Sequence, residues 1–162
     1  MNTQREQLIQ TWVATVLQSE QFDIQFLAGD ASFRRYARIK TNDKAFMLMD
    51  APPEKEDCVP FVNIDEFFDR NAVRVPHIHA KDLEQGFLLL EDFGDVLLST
   101  LIDSVSVDAY YQQCFKQLVQ LQSIDAGEML PAYSYEKLIF KISFITLVTV
   151  GDYSGCSGVL CV

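Results

Sequence analysis

Residues 29–36 read Gly-Asp-Ala-Ser-Phe-Arg-Arg-Tyr. Ala28, Gly29, Ala31 and Ser32 are small, so the backbone can approach a bulky anion closely and turn its N–H groups toward it. Ser32 adds a hydroxyl donor, and Arg34 or Arg35 a charge-assisted one. A second run, Phe87-Leu88-Leu89-Leu90-Glu91-Asp92-Phe93-Gly94-Asp95, passes abruptly from apolar to acidic. A strand that leaves a core in this way exposes backbone N–H and C=O groups, and such an edge can pair with the Watson–Crick side of a purine. Taken singly, each segment has a plainer reading: a hairpin turn with solvated arginines, and a core strand closed by an acidic turn. His77 and His79 stand two apart in an extended stretch and face one side; packing or surface roles are expected for them rather than a metal pair.

The elements that must position these residues follow from hydrophobic spacing. Leu8, Ile9, Trp12, Val13, Val16 and Leu17 predict an amphipathic helix over 5–18. Ile24–Leu27 is a short strand candidate ahead of the small-residue bend. Phe33, Tyr36, Ala37 and Ile39 suggest a strand of imperfect alternation. Thr41-Asn42-Asp43 is a turn and 45–49 the returning strand, a β-hairpin. Pro52-Pro53 ends it. Phe61, Val62, Ile64, Phe67 and Phe68 give helical spacing over 59–71. Val73–Ile78 is expected to be an extended strand, Phe87–Leu90 a buried one, and 96–102 a short helix. Asp108 is a plausible N-cap for a helix over 109–124. Strands precede helices, which makes the fold α+β rather than a doubly wound sheet.

The chain has 162 residues, enough for one ordinary domain or one lobe of a larger one. Half of it is hydrophobic, so it can bury a core. A net charge of −10 argues against a general nucleic-acid binder, because counterion release needs clustered cations. It leaves room for a small local phosphate pocket. The four cysteines lack CxxC spacing, so neither a disulfide scaffold nor a zinc site is expected. No apolar run reaches membrane-spanning length and the first residues lack a signal-peptide layout, so a cytoplasmic protein is expected. From Leu138 onward only Lys141 and Asp152 are charged. That tail reads either as a short buried strand over 142–150 with a loose end, or as sequence that follows a frameshift.

The two chemical segments, about 60 residues apart with a helix between, resemble the N-terminal lobe of the aminoglycoside phosphotransferase family, whose fold is kinase-like. Gly-Asp-Ala-Ser-Phe-Arg-Arg-Tyr at 29–36, Leu-Met-Asp-Ala-Pro-Pro at 48–53, Val-Arg-Val-Pro at 73–76 and Leu-Leu-Leu-Glu-Asp-Phe-Gly-Asp at 88–95 are similar to the amino-sugar kinases of bacterial cell-wall recycling within that family. The resemblance spans roughly residues 5–137. It implies a kinase-like nucleotide lobe over 1–95, the start of a helical C-terminal lobe over 96–137, and an atypical tail over 138–162. It implies ATP, with magnesium, as cofactor and an amino sugar as acceptor. Gly29, Asp30, Ala31 and Ser32 would form the loop over the phosphates. The Glu91 carbonyl and Phe93 amide would hold adenine between lobes.

The chain departs from the family pattern in three places. The third strand, 46–50, carries no Lys for the α/β-phosphates; Arg34 or Arg35 is expected to supply that charge. The helical acid that would partner it is open between Asp65 and Glu66. A His-x-Asp-x-x-x-x-Asn run, which would carry the base and a magnesium ligand, is absent from the sequence. The expectation is a truncated ATP-dependent phosphotransferase, inactive as this chain. The alternatives are a non-catalytic nucleotide- or protein-binding module and a decayed gene product.

Overall fold

The computed structural model describes residues 4–28, 33–101, 103 and 106–127. Met1–Ile124 form one compact unit, described here by itself. Of the second unit, Asp125–Val162, only an opening turn is described, in which the Gly127 N–H donates to Asp125 Oδ1 at 2.9 Å. The small-residue loop Gly29–Ser32 and the expected tail strand lie outside the described residues.

The first unit begins with α1 (Gln4–Leu17), then β1 (Asp23–Phe26), β2 (Arg35–Lys40) and β3 (Ala45–Asp50). Helix α2 (Val59–Arg70) leads to β4 (Ile78–Asp82) and β5 (Phe87–Glu91). The single turn α3 (Leu98–Leu101) and the longer α4 (Val107–Gln122) follow. The five strands form one antiparallel sheet in the order β1-β2-β3-β5-β4. The fold is α+β, consistent with a kinase-like N-terminal lobe.

Strand alternation assigns the two faces. Ala37, Ile39, Leu48, Phe87 and Leu89 pack with Ile9 and Val13 of α1 in one cluster. Met49, Leu88 and Leu90 pack with Cys58 and Val62 at the start of α2 in the other. Strand β5 lies inside the sheet and is covered on both faces, so Phe87–Leu90 are all buried. That is why this strand reads as a continuous apolar run, as does Ala45–Met49 of the neighbouring β3. The edge strands β1 and β4 are mostly exposed or half-buried and carry polar side chains, which protects the sheet from edge pairing.

Local chemistry closes the turns. The Thr41 N–H donates to the Lys44 carbonyl at 2.9 Å and the Lys44 N–H to Thr41 Oγ1 at 3.0 Å, closing the β2–β3 hairpin. Gly86, at φ +71°, turns the chain into β5 and holds the Ala51 N–H at 2.9 Å. A Cβ there would stand 1.9 Å from the Ala51 carbonyl oxygen, so only glycine fits.

Three expected boundaries move. The fourth strand is Ile78–Asp82, not Val73–Ile78; its polar His79 and Lys81 hide the ladder, which also carries a register shift between Ile78 and Ala80. Helix α4 is capped by Ser106, not Asp108. Asp103 Oδ1 accepts from the Ser106 N–H and hydroxyl, both at 2.7 Å, and turns the chain two residues early. Helix α3 is only Leu98–Leu101; Val96 and Leu97 are exposed ahead of it. Among the described residues no helix is long and apolar enough to cross a membrane.

Candidate functional site

Strand β2 connects the two chemical segments. Its N-terminal end continues from the small-residue loop. The Leu27 N–H donates to the Tyr36 carbonyl at 2.9 Å, so β1 and β2 are paired up to the base of that loop. Register opposes Arg35 to Asp50, and Lys40 to Ala45, at the two ends of the β2–β3 pair. Arg35, the first residue of β2, therefore stands at the Asp50 end of the pair, and the exit of β5, paired as Phe46 to Glu91, lies at the other.

The two expected arginines face different neighbours. Arg35 Nε and Nη2 reach Asp50 Oδ2 at 2.9 and 2.5 Å. Arg5 of α1 takes Asp50 Oδ1 at 2.9 and 2.7 Å and the Gln85 carbonyl at 2.5 Å. Asp50 is only 1 % exposed, so two guanidiniums hold a buried carboxylate and tie α1 to the sheet. Arg34 points toward α2 instead. Its Nη2 lies 2.6 Å from Glu56 Oε1 and its guanidinium 6.0 Å from the Phe61 ring centroid. The face that carries Tyr36, Met47 and Met49 is thus flanked by Arg34, while Arg35 serves the α1 side.

The exit of β5 is held by two further arginines. Arg38 of β2 approaches Asp92 with Nε–Oδ2 at 2.5 Å and Nη2–Oδ1 at 3.1 Å. The same guanidinium reaches Asp95 with Nη1–Oδ2 at 2.5 Å and Nη2–Oδ1 at 2.8 Å. The hydrogen bonds it donates to Asp95 and then to Asp92 raise the Arg38 pKa, and the arginine in turn holds both carboxyls below their ordinary range. Asp92 Oδ1 also accepts the Gly94 N–H at 2.9 Å, and Gly94 sits at φ +79°, which tightens the turn. Arg74 pairs with Glu91 and lays its guanidinium 4.9 Å from the exposed Phe93 ring centroid. The Arg74 hydrogen bond, then the His77 N–H at 3.2 Å, hold Glu91 below the usual carboxylate range. The Glu91 N–H donates to the His77 carbonyl at 2.8 Å.

Helix α2 separates its two candidate acids. Asp65 faces inward and is 8 % exposed; burial first, then Asp69 and Glu66, raise its pKa. Glu66 lies nearer solvent, paired with Lys81 at 2.9 Å and Arg70 at 3.0 Å. A cavity of about 440 Å³ beside them is lined by Asp65, Asp69, Arg74, His77, His79 and Lys81, among others. The His77 and His79 rings meet edge to face at 4.7 Å. Among the described residues no group of three or more His, Cys, Asp and Glu is placed to hold a metal ion.

Comparison with known proteins gives this α+β sheet a family. The model of the phosphotransferase enzyme family (APH) matches residues 23–144, most of the chain. The chain belongs to this phosphotransferase family. Three relatives are named N-acetylmuramate/N-acetylglucosamine kinase. The protein of Pseudomonas aeruginosa is 41 % identical over 106 residues, covering 65 % of this chain and 31 % of that one. That of Pseudomonas putida is 42 % identical over 106 residues, with the same coverage. That of Neisseria meningitidis serogroup B is 32 % identical over 145 residues, covering 86 % and 43 %. The chain thus spans well under half the length of these relatives.

Within this phosphotransferase-family fold, sequence reasoning singled out Glu91 and Phe93 and missed the residues that hold them. Arg38 keeps the alternation of β2: it faces the same side as Tyr36, opposite Ala37 and Ile39, so the pattern alone marks it as an ordinary polar position. Two acids at 92 and 95, at the mouth of an apolar strand, were the available sign that a cation had to lie nearby. Arg74 stood inside a quoted motif without an assigned partner.

Proposed function

We propose that this chain is the nucleotide-holding part of an ATP-dependent amino-sugar kinase. The observation that carries the reading is the exit of β5. Arg38 and Arg74 hold Glu91, Asp92 and Asp95 around Phe93, next to the strand that leads from the small-residue loop. In the proposal the Glu91 carbonyl accepts from the adenine amino group and the Phe93 N–H donates to a ring nitrogen. The N–H groups of Gly29, Asp30, Ala31 and Ser32 receive the phosphates. Arg34, held by Glu56 on the α2 side, is the cation that replaces a lysine on β3. Arg35 is assigned to Asp50 and to the docking of α1. The family match and the relatives' printed names support phosphoryl transfer to N-acetylmuramate or N-acetylglucosamine.

Magnesium is assigned no ligand among the described residues, which bring no three His, Cys, Asp or Glu side chains together to hold a metal ion. No step is derived through it. Helix α4, with Phe115 and Val119 more than half exposed, is read as the first long helix of the helical half that the relatives' greater length continues. Phosphoryl transfer depends on positioning the acceptor and neutralising developing charge. The His-x-Asp-x-x-x-x-Asn run that would carry the base and a magnesium ligand is absent from this sequence, so the chain alone is expected to bind ATP without turnover. Calorimetric titration with ATP, together with transfer of labelled γ-phosphate to either amino sugar, tests this. Saturable binding without labelled sugar is expected. Undetectable ATP binding, or robust sugar phosphorylation, would overturn the respective half of the proposal.

A further inference from the structure

We infer that Arg38 is a positioning residue that sets base selectivity by fixing the exit of β5 to β2. This deepens the nucleotide reading above and rests on it. Backbone groups can discriminate one purine from another only if they are held within the narrow tolerance of a hydrogen bond. The stretch 93–95 is exposed on all three residues, so core packing does not hold it. Arg38 does. Its guanidinium makes four hydrogen bonds, two to Asp92 and two to Asp95, which bracket Phe93 and Gly94. Both fully engaged partners are shielded, Arg38 at 11 % and Asp92 at 6 % side-chain exposure, whereas Asp95 lies open at 77 %.

The location of Arg38 gives the clamp its consequence. It stands three residues beyond Arg35 on β2, about 10 Å along a strand that continues from the small-residue loop. One strand therefore carries the loop proposed for the phosphates at one end and the anchor of the base-reading segment at the other. The nucleotide's two ends are registered against each other through β2, and β5 alone does not place the base. Adenine presents a donor and an acceptor where guanine presents an acceptor and a donor. A segment shifted by even a fraction of a hydrogen-bond length loses that distinction while the phosphate end is untouched.

The test is calorimetric titration of this chain with ATP, GTP and tripolyphosphate, for the parent and for Arg38→Gln, Arg38→Lys and Asp95→Asn. The parent is expected to prefer ATP to GTP. Arg38→Gln is expected to weaken ATP by about tenfold, to bring the ATP:GTP ratio close to one, and to leave tripolyphosphate within about twofold. Arg38→Lys keeps the charge but not the fork and is expected to recover part of the ratio. Asp95→Asn weakens the clamp at its exposed end and leaves the shielded Arg38–Asp92 pair in place; it should lower the ratio by about threefold, so it serves if Arg38→Gln does not fold. An unchanged ratio in Asp95→Asn, or a parallel loss of tripolyphosphate and ATP across the variants, overturns the inference. A parent chain that binds ATP and GTP alike removes the base-reading proposal itself, and this inference with it.

Discussion

Asp50 shows how much one buried carboxylate can organise. It accepts from Arg5 and Arg35 on both oxygens while almost wholly out of water. Asp50→Asn weakens the hydrogen bonds of two guanidiniums that stay partly hydrated, at 23 % and 41 % exposure, and should cost about 2 kcal/mol in a urea titration. Arg5→Gln should loosen only the first turn of α1, at a smaller loss in the same titration, because Ile9 and Val13 still pack on the sheet and Arg35 still serves Asp50. The titratable groups divide by sign. Asp92, Asp95 and Glu91 have depressed pKa values through Arg38 and Arg74. Their contribution is complete above the unfolded carboxylate value, about pH 4, and is lost as pH falls through the lower folded values. Asp65 runs the other way, since burial raises its pKa. Its ionisation opposes folding, so stability falls as pH rises from about 4 toward the raised value. Asp65→Asn is expected to raise the urea midpoint at pH 7 and leave it unchanged at pH 3; a lowered midpoint at pH 7 would assign Asp65 a favourable partner instead.

At the scale of elements, turns are where single atoms decide. Gly86→Ala drives a methyl into the Ala51 carbonyl and should cost more than about 2 kcal/mol, read by the same denaturation. Ala72 ends α2 at φ +59°, with its N–H on the Asp69 carbonyl at 3.0 Å and the Val73 N–H on that of Phe68 at 2.9 Å. This is a position glycine fills best, so Ala72→Gly should stabilise by about 0.5 kcal/mol. The elements themselves were largely legible. The apolar stripe of α1, the run Phe87–Leu90 and the break at Pro52-Pro53 each follow from local pattern. Strand β4 was not, because an edge strand with His79 and Lys81 lacks the apolar period of a buried one. The start of α4 was displaced because Asp103, outside any periodic run, caps the turn ahead of it. Arg38 and its acids are more than fifty residues apart, and only the sheet order brings them together.

For the whole molecule, the four motifs at 29–36, 48–53, 73–76 and 88–95, taken in order, carry the family reading further than any one of them. The family match covers residues 23–144, which include all four motifs. What stayed hidden is what depends on distance: which arginine serves the core, which flanks the α2 side, and which clamps the exit. Helix α4 touches α2 through Gln120, whose Nε2 donates to the Ala72 carbonyl at 2.7 Å and to that of Asn71 at 3.2 Å. Its apolar residues Phe115 and Val119 remain exposed, so Val119→Lys should change stability by less than about 0.5 kcal/mol in a thermal melt.

The central claim is that one nucleotide is held along β2, its base at the exit of β5 and its phosphates at the small-residue loop. Backbone amide NMR during an ATP titration reads this residue by residue. The account predicts that the largest shifts fall together on Phe93 and on Gly29–Ser32, saturating at one concentration. Shifts confined to the cavity around Asp65 and His77, or separate saturation of the two segments, would contradict it.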